Sequence, residues 1–336
     1  MHKLYNYFQR FPMWVWLLSF IVAIQCFSMA KPILLADGSH AFRYLTRQVD
    51  LAQADESDVE RSLDAIITGT ATEADYASFD SVDLAPSQRP QSILRALDHA
   101  WGAALVLVGI GALCIRRHHK PLAILLGLTS LWCMVDSMSA VLNGGVTFAY
   151  LSPYGAAART VMPLLLATVL SGLPTCSTGE RISDAYQSLF GRRFWLNAFD
   201  WCARIGIAVT FASHGHKAVA GDYYFQDLII LSARRIGLDL PTNTTLTLLD
   251  WIGYQDVLLT FAVLLTRTKW VLYWIAVWGL ITAISRITAM GFEVFDLSLV
   301  RIANGGLALV LLAFYAWLSR FSSNQNSVPI SGLRFL

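Results

Sequence analysis

Long apolar runs separated by short polar clusters dominate the chain, at about residues 12–30, 94–115, 121–142, 156–173, 197–218, 246–266, 269–290 and 297–319. A hydrocarbon core of about 30 Å takes about 20 helical residues to cross. The pattern therefore predicts an all-α polytopic bundle of about eight transmembrane helices. The first run, PMWVWLLSFIVAIQCFSMA, follows Lys3 and Arg10 and reads as a retained N-terminal anchor. A cleaved signal peptide is the alternative, because Ser28 and Ala30 fit the small-residue positions before a cleavage site. The run at 156–173 is the weakest: it is short, contains Pro163 and starts beside Arg159. Its three options are a kink, an outward extension through Tyr150–Tyr154, or a re-entrant segment.

Lys and Arg cluster between runs in a way that sets an orientation. With the N-terminus in the cytoplasm, Lys3 and Arg10, Arg116, Arg117 and Lys120, Arg181, Arg192 and Arg193, Arg267 and Lys269, and Arg320 and Arg334 all fall on one side. That agreement with the positive-inside rule places both termini in the cytoplasm of a bacterial inner membrane and favours the eight-span count. Residues 36–92 then lie outside, in the periplasm or extracellular space. They hold 11 acidic and 4 basic residues. Within them SHAFRYLTRQVDLA and ESDVERSLDAIITG show helical apolar spacing, so two or three short helices covering the outer face are expected. The resulting organisation is an anchor at 1–35, an acidic segment at 36–92, membrane helices at 93–175, an inner loop at 176–196, a four-helix membrane domain at 197–320 and a cytoplasmic tail at 321–336.

Composition sharpens this picture. The chain is 55% hydrophobic and 14% charged, against roughly 25% charged in an ordinary soluble domain. Its net charge of +2 comes without a basic stripe interleaved with aromatics, which argues against a nucleic-acid partner. The lipid bilayer is the expected partner, with a membrane or periplasmic protein beside it. Cys26, Cys114, Cys133, Cys176 and Cys202 include no CxxC and read as unreactive thiols. The chain has no Gly-rich phosphate loop and no GxSxG elbow, and the HxH at His214 and His216 is too short to assign a metal. No catalytic residue and no metal site is identified.

Ionisable groups inside spans carry more information, because each costs at least about 2.5 kcal/mol near the bilayer centre unless paired or wetted. Asp200 and Arg204 share a helix face four residues apart and read as a structural ion pair. Asp136, Asp250, Asp256, Arg286, Arg301 and Asn304 fall in the outer halves of other spans, with His214, His216 and Lys217 near the outer boundary. Two accounts compete. In one, Arg286 and Arg301 neutralise Asp250 or Asp256 between helices. In the other, these groups line an outward polar cavity, with Asp256 paired to Arg286 or Arg301. Trp14, Trp101, Trp195, Trp251, Trp270 and Trp317 sit near span ends, as interfacial indoles do, whereas Trp132, Trp274 and Trp278 are deeper. GDYYFQDLIILSARRIGLDLP predicts an interfacial helix on the outer face.

The stretch WCARIGIAVTFASHGHKAVAG, with Arg204, Gly206, Phe211, Gly215 and Lys217, resembles the first-helix pattern of DoxX-like membrane proteins. YQDVLLTFAVLLTRTKW, with Asp256 and Thr266-Arg267, is similar to a later helix of that family. The resemblance covers about residues 197–320 and implies a four-helix unit with both ends inside. Asp256 stands where Glu is commoner, and VLLTF replaces the usual Gly-rich surroundings. The family includes subunits associated with quinol oxidases and thiosulfate:quinone oxidoreduction, so the resemblance implies a respiratory or thiol redox complex and makes quinone the one cofactor to consider. The leading expectation is a membrane subunit or binding module with an outward polar cavity. The alternatives are a small-molecule or ion transporter using Asp136, Asp256, Arg286 and Arg301, and a quinone-linked membrane oxidoreductase.

Overall fold

The computed structural model describes residues 12–35, 38–53, 88–115, 120–144, 147–172 and 193–324, and every regular element among them is helical. In chain order these are α1 (Met13–Leu35), α2 (His40–Gln53), α3 (Gln88–Leu113), α4 (Lys120–Asn143), α5 (Ala157–Gly172), α6 (Arg193–Val219), α7 (Tyr223–Arg235), α8 (Thr242–Leu265), α9 (Lys269–Met290) and α10 (Phe295–Asn324). Seven stretches are long and apolar enough to cross a bilayer, and they contain α1, α3, α4, α5, α8, α9 and α10. The remaining predicted span is α6, whose 27 residues extend about 40 Å. Asp200, Arg204 and Lys217 lower its hydropathy, and it lies against α5, α8 and α10.

The distribution of side chains identifies the solvent. Leu107 and Leu258 are each 67% exposed and Trp251 is 71% exposed, all on spanning helices, while Asp200, Arg204, Asp256 and Arg286 are buried. An aqueous protein does the reverse with its charges. The chain is therefore an integral, multi-pass membrane protein, with apolar flanks toward lipid and polar groups turned inward.

α1 and α10 form the centre. Trp14 is fully buried and meets Phe199 and Phe314 edge-on, at ring-centroid distances of 5.0 and 5.3 Å. It belongs to the core, although its position at a span end predicted an interfacial indole. The helix around it continues past residue 30 to Leu35 and packs against α3 and α10. α9 and α10 approach backbone to backbone: a Cβ on Gly279 would lie 2.5 Å from the Gly305 amide nitrogen. α6 and α8 do the same at Gly215 and Gly253.

Pro163 does not break α5. A proline has no amide hydrogen, so the carbonyl four residues earlier, that of Arg159, loses its helical donor. Gln25 Nε2 of α1 replaces it at 2.8 Å. The chain also extends outward ahead of α5 through helical turns at Ala149–Leu151 and Ser152–Gly155, which is one of the options expected for this segment.

Two surface helices mark one side of the bundle, here termed the α2 side. Ser39, just before α2, donates its amide to Asp98 Oδ2 at 3.0 Å and its hydroxyl to Asp98 Oδ1 at 2.6 Å. Asp136 Oδ1 of α4 accepts from the Ala41 amide at 3.2 Å. Carboxylates suit this position because the first amides of a helix lack intrahelical acceptors. α7 is the predicted interfacial helix, capped by Asp222, which accepts from the Tyr224 amide at 3.0 Å. The second helix expected in the acidic segment, at ESDVERSLDAIITG, lies outside the described residues, as does most of the inner loop at 176–196.

Candidate functional site

The close approach of α9 and α10 determines what faces the α2 side. Counting outward from Gly279, Arg286 lies two turns along α9 on the same face; from Gly305, Arg301 lies one turn along α10 on the same face. The two arginines are brought to one interface by this register. Arg286 is 3% exposed. Its Nη1 donates to the Thr282 carbonyl, its guanidinium carbon stands 5.9 Å from the Tyr224 ring centroid, and its Nε has no partner.

Further cations complete the group. Arg159, at the start of α5, is an electrostatic neighbour of both Arg286 and Arg301. His214 of α6 lies among Arg301, Arg286, Lys217 and Arg159, with its ring edge-on to Phe225 at 6.0 Å. Lys217, one turn along, faces Arg301 and Asp222. Among the described residues, neither Arg159 nor Arg301 has a side-chain hydrogen bond or a carboxylate within 4.0 Å. The acidic neighbours are Asp136, beside Arg159, and Asp222, beside Lys217. Both already serve as acceptors for helix-end amides. Among the described residues, four cations against two rim carboxylates leave two positive charges uncompensated, with His214 counted as neutral.

Asn304 follows Arg301 by three residues and shares its side of α10. It is 3% exposed, and its Oδ1 has no donor. The site therefore presents unfilled guanidinium donors together with one unfilled acceptor; Arg286 and Asn304 are buried, whereas Arg159, His214, Lys217 and Arg301 are partly exposed.

Comparison of the chain with protein-family models, curated proteins and solved structures finds no match.

Several sequence-predicted residues fall elsewhere. Asp256 does not pair with Arg286 or Arg301. It is buried on α8 and accepts a hydrogen bond from Trp278 Nε1 at 2.8 Å. Trp278 lies eight residues from Arg286, about 12 Å along α9, and the Asp256 Cβ stands against α6, 3.2 Å from where a Cβ on Gly215 would lie. Asp250 is exposed on the outer flank of α8 and neutralises neither arginine. His216 is exposed, with Nε2 3.3 Å from the Tyr150 hydroxyl. Asp200 and Arg204 approach at 3.6 Å, but the nearer partner of Asp200 is Arg267, at 2.8 Å. Of the predicted set, His214, Lys217, Arg286, Arg301 and Asn304 belong to the cluster or its immediate surroundings. Asp136 reaches it only at the rim.

Arg159 and Tyr224 were missed. Arg159 carried the same signal as the residues that were singled out, a charge in an apolar run, but stood as a boundary marker. Nothing local singles out Tyr224. Among the described residues no group of three or more His, Cys, Asp or Glu side chains is placed to hold a metal ion.

Proposed function

We propose that this membrane protein is a binding module that receives an anionic group at the cluster of Arg159, His214, Lys217, Arg286 and Arg301. The observation that carries the reading is the excess of cations over carboxylates among the described residues of this partly buried site. Gathering guanidiniums in a low-dielectric interior is unfavourable in the absence of a counter-charge. A bound anion supplies one, and charge-assisted hydrogen bonds to the free guanidinium donors hold it. The DoxX-like resemblance of residues 197–320 suggests a respiratory or thiol redox complex as the setting, with the anionic group belonging to a small ligand or to a partner subunit.

The test is thermal unfolding of the purified protein in mild detergent, at fixed ionic strength, against a panel of mono-, di- and trivalent anions. At least one multivalent anion should raise the midpoint, and Arg301→Gln should lose that rise while keeping its helical circular dichroism. An unshifted midpoint across the panel, or an equal rise in Arg301→Gln, overturns the reading. Co-purification of a stoichiometric partner would connect the site to a complex.

The distribution of Lys and Arg supports an inner-membrane location with the α2 side outward. Single cysteines introduced at positions 75 and 325, in a background free of native cysteines, should then label from opposite sides. A second reading, transport, is favoured by Asp256, a buried carboxylate with no ion pair among the described residues. Anion flux in proteoliposomes that is lost in Asp256→Asn would select it over static binding.

A further inference from the structure

The geometry points to a phosphate group as the anion, either inorganic hydrogenphosphate or the phosphomonoester headgroup of a lipid. This inference rests on the anion-binding reading and narrows it. Three features of the site make the choice. Two uncompensated positive charges match a dianion better than a monocarboxylate. The guanidiniums come from three helices, α5, α9 and α10. A carboxylate offers two oxygens in one plane and is satisfied by one guanidinium fork, whereas a tetrahedral oxyanion presents oxygens in several directions at once. Arg286 Nε, buried and unpartnered, is one donor left open for such an oxygen.

The third feature separates phosphate from sulfate, which has the same shape and charge. Asn304 Oδ1 is a buried acceptor without a donor, on the same side of α10 as Arg301. A site of guanidiniums alone does not require an acceptor. Hydrogenphosphate carries a P–OH that donates to it while remaining a dianion; a phosphomonoester donates only from its monoprotonated, singly charged form, which meets the acceptor and one of the two positive charges. Sulfate has no hydrogen at neutral pH, so its oxygens would face the Asn304 carbonyl oxygen with no bond formed. A buried acceptor left unpaired by the wrong ligand is an effective source of discrimination.

The experiment is isothermal titration of delipidated protein in dodecyl maltoside with inorganic phosphate, sulfate, acetate and succinate, at constant ionic strength set by chloride. Phosphate should bind, with sulfate weaker by at least about tenfold, a margin well within that of a lost hydrogen bond to a buried group. Arg301→Gln should weaken phosphate by a similar factor. Asn304→Thr, whose hydroxyl can donate as well as accept, should bring sulfate to within about threefold of phosphate while retaining phosphate binding. Nanodiscs of phosphatidylcholine with and without phosphatidic acid distinguish the sources. If inorganic phosphate fails and phosphatidic acid alone stabilises the protein, in an Arg301-dependent way, the group is a lipid headgroup. Equal affinity for phosphate and sulfate, or a preference for succinate, overturns the phosphate assignment and leaves the anion-binding reading standing. Absence of binding by every anion and by phosphatidic acid overturns both.

Discussion

Replacing Asp200 by alanine should destabilise the protein more than any other single polar substitution on the side opposite α2. Asp200 is 2% exposed and ties α10 and the turn between α8 and α9 to α6. Its Oδ2 accepts from Arg267 Nη2 at 2.8 Å and from Nε at 3.1 Å, and its Oδ1 accepts from the Tyr315 hydroxyl of α10. Arg204 adds a longer contact at 3.6 Å and itself holds the end of α8, donating to the carbonyls of Val263, Leu264 and Thr266 at 2.6, 2.5 and 2.9 Å. Asp200→Ala removes the acceptor shared by a buried guanidinium and the Tyr315 hydroxyl. Removing one partner of a buried ion pair costs about 3–5 kcal/mol. The individual hydrogen bonds to charge, about 1.5–3 kcal/mol each, share one carboxylate and so do not add beyond that range. Tyr315→Phe, which removes a single hydrogen bond to charge, should cost less, about 1.5–3 kcal/mol. Arg267→Gln should also cost less than Asp200→Ala, because the Arg267 side chain is 22% exposed and water can replace part of the interaction. Equilibrium unfolding in mixed micelles with increasing SDS fraction measures the series. If Asp200→Ala lies within about 1 kcal/mol of the parent, below even a single hydrogen bond to charge, the network does not hold these helices together and the argument fails.

Three other substitutions probe how the bundle positions the cluster. Gly305→Leu places a side chain where even a Cβ would meet the Ala276 carbonyl at 2.6 Å; helix separation should destabilise by at least about 1–3 kcal/mol and abolish the anion-dependent rise in unfolding midpoint. Gln25→Leu leaves the Arg159 carbonyl without its 2.8 Å donor, a loss of about 1–3 kcal/mol in SDS unfolding; an unchanged midpoint would mean that α5 finds another donor. Asp98→Ala removes both acceptors of Ser39 and should release α2. That release would appear as faster hydrogen exchange across His40–Gln53, with an effect on global stability of about 0.5–2 kcal/mol.

The transmembrane helices were legible in the sequence because bilayer thickness imposes a local rule, about 20 consecutive apolar residues for each crossing. Every predicted run lies within or largely overlaps a helix of the structure. The two surface helices, α2 and α7, were legible for a similar reason, since their apolar spacing is a property of a few adjacent turns. The Asp200–Arg204 pair followed from i,i+4 spacing alone. Its more intimate partner, Arg267, lies in a different part of the chain and could not be read that way.

The site shows the same division at a larger scale. Hydropathy identified charges that had to be turned away from lipid, and His214, Lys217, Arg286 and Arg301 are among them. Which of them meet depends on rotation and axial offset between helices, and these are decided by packing at Gly279 with Gly305 and at Gly215 with Gly253. That packing turns Asp256 to Trp278, where it meets no arginine, and brings Arg159 from the N-terminal half of the chain into the group. The sequence by itself determined that this protein lives in a membrane and that its buried charges need partners inside the protein. Only the tertiary structure decided that three arginines come together with too few carboxylates among the described residues, because helices fix the order of charges along an axis but leave depth and facing to side-chain interlocking.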